Sequence, residues 1–369
     1  MGLELDALPE RALQSAPEAT ARPAPRLRAG RRPSVAAARP FPEPALTERG
    51  PAPVSHDVIA FGEGLLRLQP EGDYRIEDAA RFHAHPGGAE LNTCYALAGL
   101  GIRAAWFSVL PEGPLGRRVL RHARGGGVDV SLVRTAPGRL GTYWVEYGRA
   151  PRAIEVLYDR RDSTVCHVRR EDVPWDALRS CRLFFVSGIT PALSPAARDV
   201  ALEMAEAARA AGARVATDLN YRAKLWTAQE AAPGLERLAR SADIVISAED
   251  DLRTLYGMKG EPEAMAEQAM DRFRCGNAVL TRGGEGGISL AAGRVRRCAV
   301  FPNTHIDRVG AGDAFTAGFL YATMSGREDA LDFGLAMAAL KHSIPGDTVS
   351  PSVAEVERIL AREAHGIRR

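Results

Sequence analysis

Across 369 residues the chain sets 48 Lys and Arg against 46 Asp and Glu, a net charge of only +2. That balance points away from a nucleic-acid partner. No apolar run reaches the roughly 18 to 20 residues of a membrane span, and the five scattered cysteines (Cys94, Cys166, Cys181, Cys275, Cys298) form no C-x-x-C pair, which fits reduced thiols in a cytoplasmic protein.

Residues 1–55 are rich in Ala, Pro and Arg ("ARPAPRLRAGRRPSVAAARPFPEPALTERGPAP") with Phe41 as the single aromatic. Such a stretch buries too little apolar area to offset chain entropy, so it reads as a disordered extension. A transit peptide would account for it, but Glu4, Asp6, Glu10 and Glu18 and the lack of an amphipathic run stand against one; a start codon set too far upstream is the blander explanation. Its basic run "RLRAGRR" lacks the interleaved aromatics of a nucleic-acid site. The remainder, 56–365, suits one large α/β domain, with 366–369 a tail.

Within it "DVIAFGEGLLRLQP" opens with a buried-strand run, "AELNTCYALAGLG" reads as a helix stopped by Gly, and "RAAWFSVLP" as a further strand. "GRRVLRHARGGGV" reads as helix and turn. "GTYWVEYGRAPRAIEVLYDR" alternates apolar and polar residues and predicts a hairpin. With residues 65–86 it is expected to form a small β-sheet lid, over about 65–86 and 140–162. From 182 onward strand and helix alternate: "LFFVSGI", "ARDVALEMAEAARAAG", "RVATDLN", "GLERLARS", "ADIVISA", "EAMAEQAMDRFR", "AVLTRGG". Short buried strands separated by helices predict a mostly parallel central sheet flanked by helices, with ligands beyond the carboxyl ends of its strands.

The segment "RVGAGDAFTAGF" (308–319) concentrates the chemistry. Gly310 and Gly312 let backbone amides point one way, and the helix that follows adds its positive dipole, so the turn cradles an anion. A carboxylate there, Asp313, would repel a merely bound anion. It makes sense if it takes a proton from a hydroxyl while the amides of Gly310, Ala311 and Gly312 hold charge on a transferring phosphoryl group. An N-cap aspartate on an ordinary helix is the alternative. The segment is neither a Walker loop nor a full G-x-G-x-x-G, since Phe315 takes the third glycine position.

"DRVGAGDAFTAGF" and "GGAELNTCYALAGLG" (87–101) resemble the C- and N-terminal signatures of the ribokinase/PfkB sugar-kinase superfamily. "YDRRDST", "DLNYRAKLW" and "LKHSIPGD" resemble, within it, the 2-keto-3-deoxygluconate kinases. The resemblance covers about 57–362 and implies a ribokinase-like fold, ATP and Mg²⁺. It implies phosphorylation of the 6-hydroxyl of 2-keto-3-deoxygluconate, with Asp313 as general base. Substrate contacts are expected from Gly88, Ala89, Glu90 and Asn92, from Tyr143 and Tyr158 on the hairpin, and from Arg160 and Arg222 toward the acid end, where guanidinium forks suit a carboxylate.

By the same resemblance the nucleotide is expected at Asn220, Arg222, Lys224, Thr281, Gly283, Gly284, Gly286, Gly310, Gly312 and Asp347. Two departures stand out. "AEDDLRTLYG" has Ala248 and Asp251 where many relatives have N-x-x-E, leaving Asp251 as the candidate metal ligand. "DRV" (307–309) replaces a threonine pair, so the monovalent-cation site that relatives carry near this loop is left open. Alternatives are a fructokinase, a ribokinase, a 2-keto-3-deoxygalactonate kinase, or a non-catalytic sugar-acid sensor. A homo-oligomer formed through the lid is a further expectation.

Overall fold

A computed structural model describes residues 56–148 and 151–362; the readings for 1–55 and 366–369 fall outside them. In chain order the first strands are β1 (Val58–Phe61), β2 (Leu65–Pro70), β3 (Phe82–Gly87), β4 (Ala104–Phe107), β5 (Val109–Pro111), β6 (Arg134–Ala136) and β7 (Gly141–Glu146). They are followed by β8 (Glu155–Asp159), β9 (Leu183–Ser187), β10 (Arg214–Asp218), β11 (Ile244–Ala248), β12 (Asn277–Thr281), β13 (Gly287–Ala291) and β14 (Arg294–Cys298).

Eight strands form the central sheet in the order β14-β13-β12-β11-β10-β9-β1-β4. Its pairings are parallel from β4 to β12. Covered on both faces, these strands are apolar nearly throughout (VIAF, LFFVS, IVISA). Alternate residues serve opposite cores. Val58 and Ala60 pack with Leu91, Phe319 and Phe333, whereas Ile59 and Phe61 pack with Val200, Met204 and Leu235. Each such large apolar side chain, fully buried, contributes about 1.5–3 kcal/mol.

Two features differ from the sequence reading. β13 and β14 add an antiparallel ribbon to the sheet. β14 reads RVRRC and is exposed along most of its length; its arginines make it an edge strand that resists further pairing. "RAAWFSVLP" is also two strands rather than one. β4 stays in the central sheet, while β5 pairs with β6 in a separate two-stranded sheet, the break falling at buried Ser108.

A second sheet, β3-β2-β7-β8, forms the small lobe. β7 and β8 pair antiparallel and set Tyr143 opposite Tyr158. β2 joins β7 in parallel and β3 antiparallel. Among the described residues no helix is long and apolar enough to cross a membrane.

Candidate active site

The carboxyl ends of β10, β11 and β12 place Asp218, Ala248 and Thr281 along one rim of a cleft of about 460 Å³. This is where a parallel sheet offers its ligand site. Tyr143, Tyr158 and Arg160 of the small lobe form the opposite wall, and Gly310, Gly312 and Asp313 lie at its floor.

The helix carrying Asp313 begins at Ala311, with Gly310 as its N-cap at φ 82°. A Cβ at Gly310 would lie 2.0 Å from the Asp347 carbonyl oxygen. Both conformation and space therefore require glycine there. The first amides of the helix open toward the cleft end, the arrangement that favours negative charge. Asp313 Oδ2 accepts a 2.7 Å hydrogen bond from Asn92 Nδ2. Burial pushes the Asp313 carboxyl above the usual aspartate range, opposed by Asn92 and by the charges of Arg222 and Lys341. Asn92 thus fixes the rotamer of the carboxylate, while its own Oδ1, buried, has no partner.

Asp218 and Asp251 crowd the same rim. Burial first, then repulsion from Asp251 and Asp313, pushes Asp218 up to about 7. Asp251 is also raised by burial and accepts a 3.0 Å bond from the Tyr221 amide. Asn220 bridges them in the left-handed region at φ 38°, its amide donating to Asp218 Oδ1 at 3.1 Å, a turn that asparagine tolerates. Arg222 lines the cleft and its charge lowers all three carboxylates. Among the described residues no three His, Cys, Asp or Glu side chains are gathered as a metal cage. Two crowded carboxylates beside an open cleft nonetheless suit a hard cation that keeps several waters.

On the lobe, Tyr143 and Tyr158 stack at 5.9 Å, and the Arg160 guanidinium sits 5.7 Å over the Tyr158 ring. Arg160 is buried and donates Nε to Glu63 Oε2 at 2.8 Å, with Nη2 on the same oxygen. Ser163 donates to the other oxygen of Glu63. Gly88 and Ala89 line the cleft beside Asn92; Gly88, at φ 147°, has no room for a Cβ against the Glu63 carbonyl.

Several expected residues sit elsewhere. Glu90 is fully buried away from the cleft, accepting from Ser187 N and Oγ and from Thr190 Oγ1, each at 2.8 Å. Burial pushes it up to about 7. It braces the strand ends under the site rather than facing a substrate. Lys224 donates to the Val156 carbonyl and does not line the cleft. Of the "TRGGEGG" turn, Thr281 reaches the cleft; Gly283, Gly284 and Gly286 lie beyond it, and neighbouring Arg282 pairs with Glu249 and Glu285. Asp347 lines the cleft but accepts from the Tyr143 hydroxyl and pairs with Arg67.

Sequence reasoning passed over Asp218, Glu63 and the buried set Arg67, Asp307 and Lys341. A signal existed for Asp218, which ends the strand RVATD where ligands are expected. Asp307 stood inside the quoted "DRV". Lys341 stood inside the quoted "LKHSIPGD", and nothing local marked Arg67.

Comparison with known proteins gives a consistent match. Residues 55–353 match the pfkB family carbohydrate kinase. A 2-dehydro-3-deoxygalactonokinase of Haloferax volcanii is 38% identical over 315 residues, covering 85% of this chain and 99% of its own length. A 2-dehydro-3-deoxygluconokinase of Thermoproteus tenax is 30% identical over 319 residues, covering 84% of this chain and 96% of its own. The crystal structure of the 2-dehydro-3-deoxygluconokinase of Thermotoga maritima is similar with a TM-score of 0.77 and 32% identity, covering 82% of this chain and 98% of that one.

Proposed function

The chain belongs to the pfkB family of carbohydrate kinases, and on that premise we propose that it transfers the γ-phosphoryl group of ATP to the 6-hydroxyl of 2-keto-3-deoxygluconate. The observation that carries the reading is the Asp313 carboxylate, held by Asn92 at 2.7 Å at the mouth of a helix N-terminus inside the cleft.

In this scheme Asp313 accepts the proton of the 6-hydroxyl, and the oxygen so freed bonds to the γ-phosphorus as the bond to ADP breaks. A carboxyl raised by burial is a better base near neutral pH than an exposed aspartate. The amides from Gly310 to Asp313 hold the charge spread over the equatorial oxygens. Arg222 and Arg160 orient the acid end. Arg160 is pre-set by Glu63, which takes Nε and Nη2 and leaves the rest of the fork for a ligand. Tyr143 and Tyr158 cover the sugar chain. Asn220 and Thr281 would face the nucleotide within the cleft, the glycine turn after Thr281 would meet it only where it extends beyond the cleft, and Lys224 would join them on leaving the Val156 carbonyl. Asp251, with Asp218 beside it, would hold Mg²⁺, which when bound neutralises charge on the nucleotide phosphates.

The galactonate epimer is a second reading, favoured by the identity to the Haloferax volcanii enzyme. A coupled ADP-release assay over both keto-deoxy acids, fructose and ribose tests the proposal. Turnover is expected with the acids and not with the neutral sugars, and the better kcat/KM names the epimer. A neutral sugar used as well as either acid would overturn the reading. Arg222→Met should cost the acid substrate about 10- to 100-fold in kcat/KM through one lost charge-assisted contact.

A further inference from the structure

Behind the Gly310 turn lies a charged centre that this scheme does not use. Lys341, in the last turn of the helix Ala330–His342, has 0% of its surface exposed. Its Nζ donates to the carbonyl oxygens of Asp307 at 3.2 Å and Ile344 at 2.9 Å. Those carbonyls belong to two loops that meet at the catalytic turn. The Gly346 amide donates to Asp307 Oδ2 at 2.9 Å, the Val309 amide to Asp307 Oδ1 at 3.0 Å, and the Asp347 carbonyl abuts Gly310. One ammonium therefore clamps both loops.

The charges around it balance. Asp307 and Asp347 are buried, and Arg67, itself fully buried, pairs with both: Nη2 to Asp307 Oδ2 at 2.6 Å and Nε to Asp347 Oδ1 at 3.1 Å. Arg67 and Lys341 thus face two carboxylates. Backbone carbonyls beside carboxylates are what a dehydrated monovalent cation coordinates. The family resemblance leaves such a site open near this loop, yet here the carbonyls are taken and the charge is already compensated. An added ion does not fit, since an unbalanced buried charge is costly.

We propose that Lys341 is a positioning residue, a tethered cation that fixes the Gly310–Asp313 turn where a dissociable monovalent ion would otherwise serve, so that turnover does not depend on potassium. The inference rests on the kinase reading of the same turn. Wild-type turnover in potassium chloride and in tetramethylammonium chloride of equal ionic strength should agree within about twofold, screening being matched. Lys341→Ala should lose about 10²- to 10³-fold in kcat, the size of a misplaced anion-stabilising donor, with KM for the sugar acid little changed. Potassium or methylammonium should restore at least about tenfold, in line with the weight of supporting contacts around a site, and should raise the unfolding temperature of Lys341→Ala. Tetramethylammonium, too large for the vacated space, should do neither. Lys341→Met, which fills that space with an apolar chain, should show the loss without the rescue.

Strong potassium activation of the wild type would overturn the proposal, and that outcome needs no variant to fold. So would a Lys341→Ala enzyme with wild-type kcat in tetramethylammonium. If the wild type phosphorylates no sugar, the kinase reading fails by itself. The potassium-specific rise in unfolding temperature then decides separately whether Lys341 fills a cation's place.

Discussion

On the lobe wall of the cleft Arg160 is held by Glu63, and behind that wall the buried Arg67 is held by Asp307 and Asp347. On the sheet wall, Asp218, Asp251 and Asp313 crowd together, all raised by burial, with the charge of Arg222 lowering each. Burial alone does not decide the contrast: Arg67 and Arg160 are buried, while Asp218, Asp251 and Asp313 are half-buried along the cleft. The difference is compensation. Both cations have a carboxylate at hydrogen-bonding distance, so the charge on that side is compensated as folded. The sheet wall keeps an excess of negative charge that a cationic or proton-donating ligand would relieve. Stored repulsion of this kind belongs where chemistry happens rather than where the fold is held.

The sharpest break in the comparison is Asp313→Asn. It keeps the size of the side chain and removes the proton acceptor. We expect kcat to fall by about 10²- to 10⁴-fold with sugar binding nearly intact, as read by steady-state kinetics and direct titration. Turnover close to wild type would strip Asp313 of the base role. Next comes Arg67→Met behind the lobe wall. Two buried carboxylates would lose their cation, a loss of about 3–5 kcal/mol in urea unfolding. Asp251→Asn on the sheet wall should cost no stability, since the amide oxygen still accepts from Tyr221 and a disfavoured charge is removed. Similar losses in both variants would erase the contrast between the walls.

How much of this was legible depended on distance along the chain. The turn 308–313 announced itself because its parts are contiguous: two glycines, a carboxylate and a helix start. The parallel strands were legible because burial on both faces leaves a local apolar run. Arg67 and Asp307 lie 240 residues apart, and nothing near either one signals the other. Glu90 and Asn92 show a subtler limit. They stand in one matched motif, yet two residues apart on a helix they point to nearly opposite faces. Asn92 meets Asp313, while Glu90 turns to Ser187 and Thr190. The antiparallel ribbon of β13 and β14 escaped because an edge strand of arginines lacks the apolar run that betrayed its neighbours.

Asp218 offers the finest test of the strained wall, through pH. In the folded protein it holds its proton up to about 7, against an ordinary aspartate value of 3.8. Well below pH 3.8 it is protonated in both states and contributes no difference. As pH rises from there the unfolded chain ionises first, so unfolding releases a proton and stability falls until the folded carboxyl also ionises near 7. The slope from this group approaches about 1.4 kcal/mol per pH unit. Glu90 and Asp347, raised to about 7 and about 6, add to the wild-type slope, so the informative quantity is a difference between proteins. Urea unfolding of wild type and Asp218→Asn across this window should show a gap that widens with pH in favour of the variant and levels off above 7. Parallel curves would mean that Asp218 ionises in the fold as easily as in the open chain, and the sheet wall would then store no repulsion at that position for a ligand to release.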